Sequence, residues 1–352
     1  MSQKDETIPT TQRAWVIEKL GIPRQALRLH ENRPVPKLET GQALVKIQAA
    51  ALNPLGWKSM GVLPQLARAK LSVPEYDFAG VVVDHGDTTF KRGDLVFGSL
   101  DPFFALNSGE GTLAEYVRVP SSALALRPAG KHPVDVAGIP LAGQTALQAL
   151  STFTRFEANQ CILINGGSTA VGMYAIQIAK AKGAKVVVTC SPRHNSLMKD
   201  LGADETIDYT AAPLHEILTR SPPDPQFNII LDAVGLLDPS LYTHSPAYLA
   251  PGGVFVTTGP QPKSFSANQL WLAFKTAVAV ARPAWLGGVP RGYKFIVMQT
   301  NQRDLDELRE LCEAGKLRSV VDSVTEFDNV LEAYDRSMSG HAQGKVVVKI
   351  AD

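Results

Sequence analysis

Short apolar runs separated by turn residues dominate the first third of the chain, a pattern typical of β-strands. In QALVKIQAAAL (42–52), Val45, Ile47 and Ala49 alternate with Lys46 and Gln48, which is the period of two of a half-buried strand. Similar runs are AWVIEKLG (14–21), ALRLHEN (26–32), VPEYDFAGVVVDHG (73–86), DLVFG (94–98) and TLAEYVRVP (112–120). We therefore predict a small β-rich domain over residues 1–128.

After Pro128 the apolar runs alternate with helical segments. The predicted strands are CILIN (161–165), KVVVTC (185–190), ETIDY (205–209), NIILDAVG (228–235), GVFVTTG (253–259) and KFIVMQT (294–300). Helices are predicted over residues 137–153 with a break near Gly143, over 172–182, and over 304–314. Apolar strands between helices predict an α/β fold, with a doubly wound parallel sheet over residues 129–318. Residues 319–352 return to strand–helix–strand, and we assign them to the first domain.

Composition and charge narrow the range of functions. The chain has 352 residues, 45% apolar and 20% charged, and its 35 Lys and Arg nearly balance its 34 Asp and Glu. This balance leaves no basic excess for binding nucleic acid. Three cysteines are too few for a disulfide framework and favour a reducing compartment, the cytoplasm. The most apolar stretch, residues 270–289, is interrupted by Lys275, Arg282 and Pro283, so we predict no membrane span.

The central motif is a glycine turn within ILINGGSTAVGMYAIQIAKAKGAKVVV (162–188). Strand, turn, helix and strand within about 30 residues is the context of a dinucleotide site. Gly166 and Gly167 permit a tight turn, and Gly172 lets the helix pack closely. Four residues would present N–H groups to a pyrophosphate at the helix N-terminus: Ser168, Thr169, Ala170 and Val171. Thr169 replaces the usual middle glycine, and its hydroxyl could donate to phosphate. The alternative, a glycine-rich turn without a ligand, is less favoured because the frame is complete.

The end of the second strand indicates which nucleotide binds. An NAD site places an acid there, against the ribose 2′-hydroxyl, whereas this chain reads Thr189-Cys190-Ser191-Pro192-Arg193, with no acid before Asp200. Ser191 and Arg193 could hold a 2′-phosphate by hydrogen bonds. The alternative for Arg193 is a solvated loop charge. We predict NADPH as the cofactor.

At this point the chain resembles a known family. The matching segments, in order, are ALNPLGWK (51–58), VPEYDFAGVVV (73–83), KRGDLVFG (91–98), GTLAEYV (111–117), PLAGQTALQAL (140–150), NGGSTAVG (165–172), LGADETIDY (201–209), LDAVG (231–235) and GKVVVKI (344–350). They resemble the medium-chain dehydrogenase/reductase superfamily, in its zinc-free branch of quinone oxidoreductases and enoyl reductases. GGSTAVG is most similar to fungal trans-acting enoyl reductases. The resemblance implies a GroES-like catalytic domain, split around an inserted Rossmann NADPH-binding domain.

The resemblance also implies further cofactor contacts. Asn53 matches a residue near the nicotinamide ribose, and Tyr209 matches one that contacts the adenosine 2′-phosphate. Gly259 would lie under the cofactor at the end of a strand. Lys345 and Val346 match a last strand that returns to the nicotinamide.

Two residues are candidates for catalysis. Lys58 follows the Asn53-Pro54 turn, where an ammonium could stabilise an enolate or supply a proton; an exposed loop lysine is the equal alternative. Thr145 resembles the family threonine beside the nicotinamide ring, or it is a helix residue that bonds back to the preceding turn. The chain carries Gly56 where the resembled N-P-x-D-W-K pattern has Asp. An acid that orients the site in relatives would therefore be missing.

A catalytic zinc is not expected. The family's zinc members need an early Cys and a Gly-His-Glu run, but the corresponding segments here read Ala51-Leu52-Asn53-Pro54 and Glu75-Tyr76-Asp77. No Cys precedes residue 161, and the seven His residues show no ligand spacing.

The leading hypothesis is an NADPH-dependent reductase that transfers hydride to an activated C=C bond of an enoyl thioester, enone or enal, or to a quinone. The apolar residues 260–292 would form the wall of a pocket for a small molecule or acyl chain, or instead a subunit contact. The resemblance also implies a homodimer or a carrier-protein or synthase partner. The competing hypothesis is a non-catalytic NADPH-binding sensor or trafficking adaptor on the same fold.

Overall fold

A computed structural model describes residues 7–63, 68–153, 158–259 and 267–351. Contacts divide the chain into two compact units, residues 1–144 with 299–352, and residues 145–298. The elements up to residue 151 are β1 (Thr11–Ile17), α1 (Pro23–Ala26), β2 (Leu27–Pro34), β3 (Gln42–Ala51), α2 (Pro54–Val62), β4 (Asp77–Asp84), β5 (Leu95–Ser99), α3 (Pro102–Ser108), β6 (Tyr116–Pro120), β7 (Leu124–Leu126), α4 (Pro133–Val136) and α5 (Pro140–Ser151).

The remaining elements alternate more regularly between strand and helix. Those of the second unit are β8 (Cys161–Asn165), α6 (Ala170–Ala181), β9 (Lys185–Cys190), α7 (Asn195–Asp200), β10 (Glu205–Asp208), α8 (Leu214–Arg220), β11 (Phe227–Asp232), α9 (Ser240–Thr243), β12 (Leu249–Thr257), α10 (Ala267–Ala281) and β13 (Gly292–Phe295). The chain then re-enters the first unit with α11 (Gln302–Glu313), β14 (Val321–Glu326), α12 (Val330–Met338) and β15 (Lys345–Lys349).

The first unit is built on a mostly antiparallel sheet in the order β14-β15-β3-β4-β5-β7, with β6 also paired to β3. On β3, Val45, Ile47 and Ala49 are fully buried, as the alternation predicts. The end of the chain belongs to this sheet because β15 pairs with β3. A buried hydrogen bond from Trp15 Nε1 to the carbonyl oxygen of Phe327 (2.9 Å) also joins the two ends of the unit.

The second unit contains a parallel sheet in the order β10-β9-β8-β11-β12-β13. This is the doubly wound order of a Rossmann fold, in which the connections change direction between the first and fourth strands. Here those strands are β8 and β11, and their apolar residues are fully buried, as a sheet covered on both faces requires. The fold class is therefore as predicted.

Three local predictions differ from the structure. Helix α5 runs through Gly143 without a break. The glycine is there for packing, because a Cβ at this position would lie 3.0 Å from Leu308 of α11. Its absence lets the two helices approach closely. Strand β13 ends at Phe295 and not at residue 300, because Phe295 pairs with Thr257, the last residue of β12. The contact boundaries after residues 144 and 298 differ from the predicted 128 and 318, because α11 packs against β7.

Candidate cofactor and active site

The glycine turn lies where the second unit's sheet changes winding direction. Gly166 follows β8 with a φ of 85°, and a Cβ there would lie 2.5 Å from Val234 Cγ2, just after β11. Only glycine fits both the left-handed backbone and this space. The crevice at the carboxyl ends of β8 and β11 is the place where open α/β sheets bind ligands.

Thr169 caps α6, and its hydroxyl forms hydrogen bonds within the glycine turn. Its Oγ1 donates to the carbonyl oxygen of Gly166 (2.8 Å) and accepts from the N–H of Gly172 (3.0 Å). In this arrangement the hydroxyl proton is used within the turn, and a contact of Thr169 with phosphate stays a prediction. The N–H groups of Ala170 and Val171 are in the first turn of α6, where a helix has no internal partner for them. Both residues are half-buried, so this first turn can serve as an anion site.

Gly172 brings the helix against the turn. A Cβ at this position would lie 2.2 Å from the carbonyl oxygen of Gly166. Since no side chain fits there, the glycine sets the distance between the first turn of α6 and the residues that precede it.

A buried hydrogen-bond network holds the glycine turn at the ends of the strands, and it was not predicted from the sequence. Asn165 Nδ2 donates to Asp232 Oδ1 (2.9 Å), Thr189 Oγ1 donates to Asn165 Oδ1 (2.8 Å), and the N–H of Gly166 donates to Thr189 Oγ1 (2.8 Å). Thr257 Oγ1 donates to Asp232 Oδ2 (3.2 Å). Four strand ends are thereby tied together. Burial raises the pKa of Asp232, which also accepts from the backbone of the loop after β11 as a cap would.

The residues predicted for a 2′-phosphate meet at one edge of the sheet. Ser191 directly follows β9 and Tyr209 directly follows β10, and the last residues of these strands, Cys190 and Asp208, are paired. Arg193 lies in the short 3-10 turn after Ser191 and is exposed, as Tyr209 is. The register also brings Asp208 to this edge, an acid that the spacing argument did not count. Its Oδ1 accepts from the backbone N–H and hydroxyl of Thr210 (2.8 and 2.6 Å).

Gly259 lies two residues after β12 at the same end of the sheet. Its φ is 100°, and a Cβ there would be 2.1 Å from Phe295 Cε2. Its N–H donates to Thr257 Oγ1 (3.1 Å). The backbone conformation therefore favours glycine here, whereas the exposed ring of Phe295 could move aside. The position of Gly259 under the cofactor remains a prediction.

The first unit holds a buried polar cluster where β3, β4, α2, α12 and β15 meet. Lys345 Nζ contacts Asn53 Oδ1 (2.7 Å) and Asp77 Oδ2 (3.0 Å), and Asn53 Nδ2 also donates to Asp77 Oδ2 (3.0 Å). Glu75 Oε2 accepts from the backbone N–H of Asn53 (2.9 Å), and Glu75 Oε1 accepts from the hydroxyl of Tyr334 (2.8 Å). All five residues are at most 3% exposed. Such a cluster is rigid only while every member keeps its partner.

Three residues that the sequence assigned to the cofactor have side chains with partners inside the first unit. The polar atoms of Asn53 and Lys345 bond to each other and to Asp77. The side chain of Val346 is 3% exposed and packs in the hydrophobic core, while its carbonyl oxygen accepts from Leu52 N–H (2.9 Å). In the structure these side chains build the first unit, and their contacts with a cofactor remain predictions.

The two catalytic candidates lie on helices whose N-termini are anchored to this cluster. Lys58 is half-buried on α2, with Nζ 5.5 Å from the ring centroid of Trp57, and burial lowers the pKa of its ammonium. Thr145 lies on α5 and is 8% exposed. Near the start of α5, Leu141 N–H donates to Asp77 Oδ1 (2.7 Å). The hydrogen bonds that Glu75 and Asp77 accept from the residues at the two helix starts were not predicted, because the sequence of this segment showed only that the zinc pattern is absent.

Glu75 makes stability depend on pH. Its pKa is raised to about 8, mainly by burial and to a smaller extent by the charge of Asp77. The hydrogen bonds from Tyr334 and Asn53 and the charge of Lys345 act in the opposite direction and only partly offset this rise. As the pH rises above the ordinary pKa of 4.5, the carboxyl of Glu75 ionises in the unfolded state but stays protonated in the folded state. The free energy of unfolding therefore falls between about pH 4.5 and 8, by up to about 1.4 kcal/mol per pH unit.

We therefore expect the free energy of unfolding of the wild type to fall more steeply between pH 5 and 8 than that of Glu75→Gln, which cannot titrate there. Urea unfolding at a series of pH values measures both slopes. Parallel slopes would contradict the raised pKa.

The apolar stretch over residues 260–292 was predicted as a pocket wall or subunit contact, and residues 260–266 lie outside the described part of the chain. Trp271, Phe274 and Val278 of α10 line a cavity of about 570 Å³ in the second unit. Trp285 is 82% exposed. The side chains of Trp271, Phe274 and Val278 that line the cavity are themselves exposed, as Trp285 is. An exposed apolar surface beside a cavity fits either a pocket wall or a subunit contact, so both interpretations stay open.

Among the residues that the structure describes, no group of three or more His, Cys, Asp or Glu side chains could hold a metal ion. No helix among them has the length and apolar character needed to cross a membrane.

Comparison with known proteins places the chain in a family. Residues 39–129 match the family model described as "Alcohol dehydrogenase GroES-like domain", and residues 201–348 match the one described as "Zinc-binding dehydrogenase". The trans-enoyl reductase pgmF of Aspergillus terreus is 35% identical, over 98% of each chain. The chloroplastic NADPH-dependent alkenal/one oxidoreductase of Arabidopsis thaliana is 34% identical, over 98% of this chain and 81% of its own.

The fold comparison agrees. The structure of the quinone oxidoreductase from Coxiella burnetii aligns with a TM-score of 0.76 at 26% identity, covering 96% of this chain and 99% of its own. A Rossmann-type parallel sheet and a GroES-like β unit occur in the same chain, and relatives that match nearly its whole length include trans-enoyl reductases. The chain therefore belongs to the medium-chain dehydrogenase/reductase superfamily, in its branch of enoyl reductases and quinone oxidoreductases.

Proposed function

We propose that the protein is an NADPH-dependent, zinc-independent reductase that adds hydride to the β-carbon of an α,β-unsaturated carbonyl compound, either an enoyl thioester, an enone or an enal. The observation that carries the proposal is the glycine turn at the change of winding direction, followed by a β9 end that offers Ser191 and Arg193. The names of the trans-enoyl reductase and alkenal/one oxidoreductase relatives support the substrate class. Quinone reduction is a second activity of the same site, supported by the Coxiella structure.

The residues present fit the cofactor. The first turn of α6 offers the N–H groups of Ala170 and Val171 to a pyrophosphate, at the positive end of the helix dipole. Ser191, Arg193 and Tyr209 would bind the 2′-phosphate, and Gly172 keeps the turn close to the helix. When bound, NADPH supplies the hydride.

The chain's own contribution to the chemistry is charge stabilisation and proton supply. Addition of a hydride to the β-carbon leaves an electron pair on the α-carbon and carbonyl oxygen, and this enolate needs a positive or hydrogen-bonding group. We assign that role to the ammonium of Lys58, which can also deliver the α-proton and recover one from solvent. Thr145 would orient the reacting groups by its hydroxyl. The sum is addition of hydride and proton across C=C, with NADPH oxidised to NADP⁺.

The proposed preference for NADPH over NADH is tested at Arg193. A hydrogen bond to a charged group contributes about 1.5–3 kcal/mol, so Arg193→Ala should raise the Kd for NADPH about 10- to 150-fold and leave the Kd for NADH nearly unchanged. Calorimetric titration measures both. Arg220→Ala, at the exposed end of α8, is the control and should change neither. Equal dissociation constants for the two cofactors in the wild type would overturn the preference.

The proposed independence of zinc is tested by measuring the zinc content of the protein. The matched family model is named for zinc binding, but the segments that should carry its ligands contain Asn53, Glu75 and Asp77, which bond to one another and to Lys345. We expect elemental analysis of the purified protein to find no stoichiometric zinc, and reductase activity to survive dialysis against a chelator. One zinc per chain with chelator-sensitive activity would contradict this part of the proposal.

A further inference from the structure

The space beside Gly56 on α2 is already filled by another residue. A Cβ at position 56 would lie 2.1 Å from Glu75 Oε1 and 2.5 Å from its carboxyl carbon. Gly56 is buried, and Glu75 is 1% exposed. No side chain fits at position 56 while the carboxyl of Glu75 occupies this space.

Gly56 stands at a position with a defined role in helix capping. Asn53 is the N-cap of α2, so Gly56 is its third helical residue. In a capping box, the side chain of the third residue accepts a hydrogen bond from the backbone N–H of the N-cap. Gly56 cannot do so, and Glu75 Oε2 accepts that bond instead, at 2.9 Å from the N of Asn53. The hydrogen bond that a capping box forms within the helix is here accepted by Glu75, a residue outside the helix.

Glu75 makes this bond from an unfavourable backbone conformation. Its φ is 71°, in the left-handed region that side-chain-bearing residues rarely adopt. Its second carboxyl oxygen accepts from the hydroxyl of Tyr334 on α12, and Tyr334 is fully buried. A strained residue persists only where its surroundings hold it in place, so these two hydrogen bonds mark Glu75 as a constrained position.

We propose that Glu75 is a positioning residue of the reductase site: its carboxyl replaces the acid missing at position 56, caps α2 and thereby holds Lys58 in place. Lys58 is two residues beyond Gly56 on the same helix, so the first turn that Glu75 caps leads directly into the turn that carries the ammonium. The consequence at Lys58 rests on the proposed function, whereas the capping is a property of the first unit alone.

Moving the acid back into the helix tests the proposal. We would compare Gly56→Asp, Glu75→Gly and the double variant Gly56→Asp/Glu75→Gly in kcat for an enone, in Kd for NADPH and in Tm. Each single change should lower Tm and should lower kcat by about tenfold or more, as expected when a catalytic group is displaced. In the double variant the new acid has room, can cap Asn53 from within the helix, and should return kcat to within about threefold of the wild type. The Kd for NADPH should stay constant throughout.

A second double variant separates capping from relief of crowding. Gly56→Ala/Glu75→Gly removes the overlap but supplies no carboxyl, so it should recover Tm relative to Gly56→Ala and keep a low kcat. Gly61→Ala, an exposed position on α2 with nothing within 4 Å of its Cβ, is the control and should leave kcat unchanged. If Gly56→Asp alone does not fold, comparison of Gly56→Asp/Glu75→Gly with Glu75→Gly decides.

Additive losses of kcat in Gly56→Asp/Glu75→Gly, or equal recovery by the two double variants, would overturn the proposal. A wild type without reductase activity would overturn the proposed function instead. In that case the Tm values alone decide the capping: a larger non-additive recovery of Tm in Gly56→Asp/Glu75→Gly than in Gly56→Ala/Glu75→Gly supports it, and equal recovery in the two double variants overturns it.

Discussion

Replacing Lys58 by Met should lower kcat and kcat/KM together by about 10²–10³ for an enone substrate. This is the usual loss when a preorganised donor to a developing negative charge is removed. An interaction that forms only in the transition state affects both constants equally. The Kd for NADPH should not change, because Lys58 is not assigned to a phosphate. Steady-state kinetics with calorimetry gives all three numbers.

Two comparisons sharpen this prediction. Quinone reduction should suffer less than enone reduction, because a quinone spreads the incoming charge over its own ring. Lys91→Met, at an exposed position in a turn of the first unit, is the matched control.

The rate of the wild type should also depend on pH. Burial lowers the pKa of Lys58, so its ammonium loses the proton at a lower pH than the ammonium of an ordinary lysine. The rate should therefore begin to decline at that lower pH. Wild-type rates from Lys58→Met would remove this residue from the mechanism.

Gly172→Ala should weaken NADPH binding by more than about tenfold, which is 1.4 kcal/mol. The added methyl would lie 2.2 Å from the carbonyl oxygen of Gly166, so α6 must move away from the turn. The N–H groups of Ala170 and Val171 would then no longer converge with the turn on the same anion. Overpacking costs about 1–3 kcal/mol, which outweighs the roughly 1 kcal/mol that alanine gains over glycine in a helix, so Tm should fall as well.

Gly292→Ala is the control for this change. It lies in the same unit, and its nearest neighbour would be Val254 Cγ2 at 3.7 Å, an ordinary contact. It should leave NADPH affinity intact. An unchanged Kd in Gly172→Ala would contradict the placement of the pyrophosphate at this helix.

The parts of the molecule that could be predicted from sequence are those that depend on local pattern. The alternation of Val45, Ile47 and Ala49 predicts the buried face of β3, and Gly183 ends α6 with a φ of 84° as a helix-terminating glycine should. The glycine turn was found in the same way, because strand, turn and helix are adjacent in sequence.

The parts that could not be predicted are contacts between distant residues. Glu75 meets Tyr334 across 259 positions, and Lys345 meets Asp77 across 268. Thr169 was assigned to phosphate because its role as a cap depends on the position at which α6 begins. The only available signal for the buried cluster was two acids just before an apolar strand, since buried charges require partners. That signal indicates a partner without identifying it.

The most direct test of the proposed function follows the hydride itself. An enone would be incubated with NADPH deuterated at C4 of the nicotinamide, and the product analysed by NMR. The proposed function predicts deuterium at the β-carbon and a solvent proton at the α-carbon, with the carbonyl retained. Deuterium at the carbonyl carbon, giving an alcohol, would contradict it, and so would the absence of NADPH oxidation with enones, enals, enoyl thioesters and quinones alike.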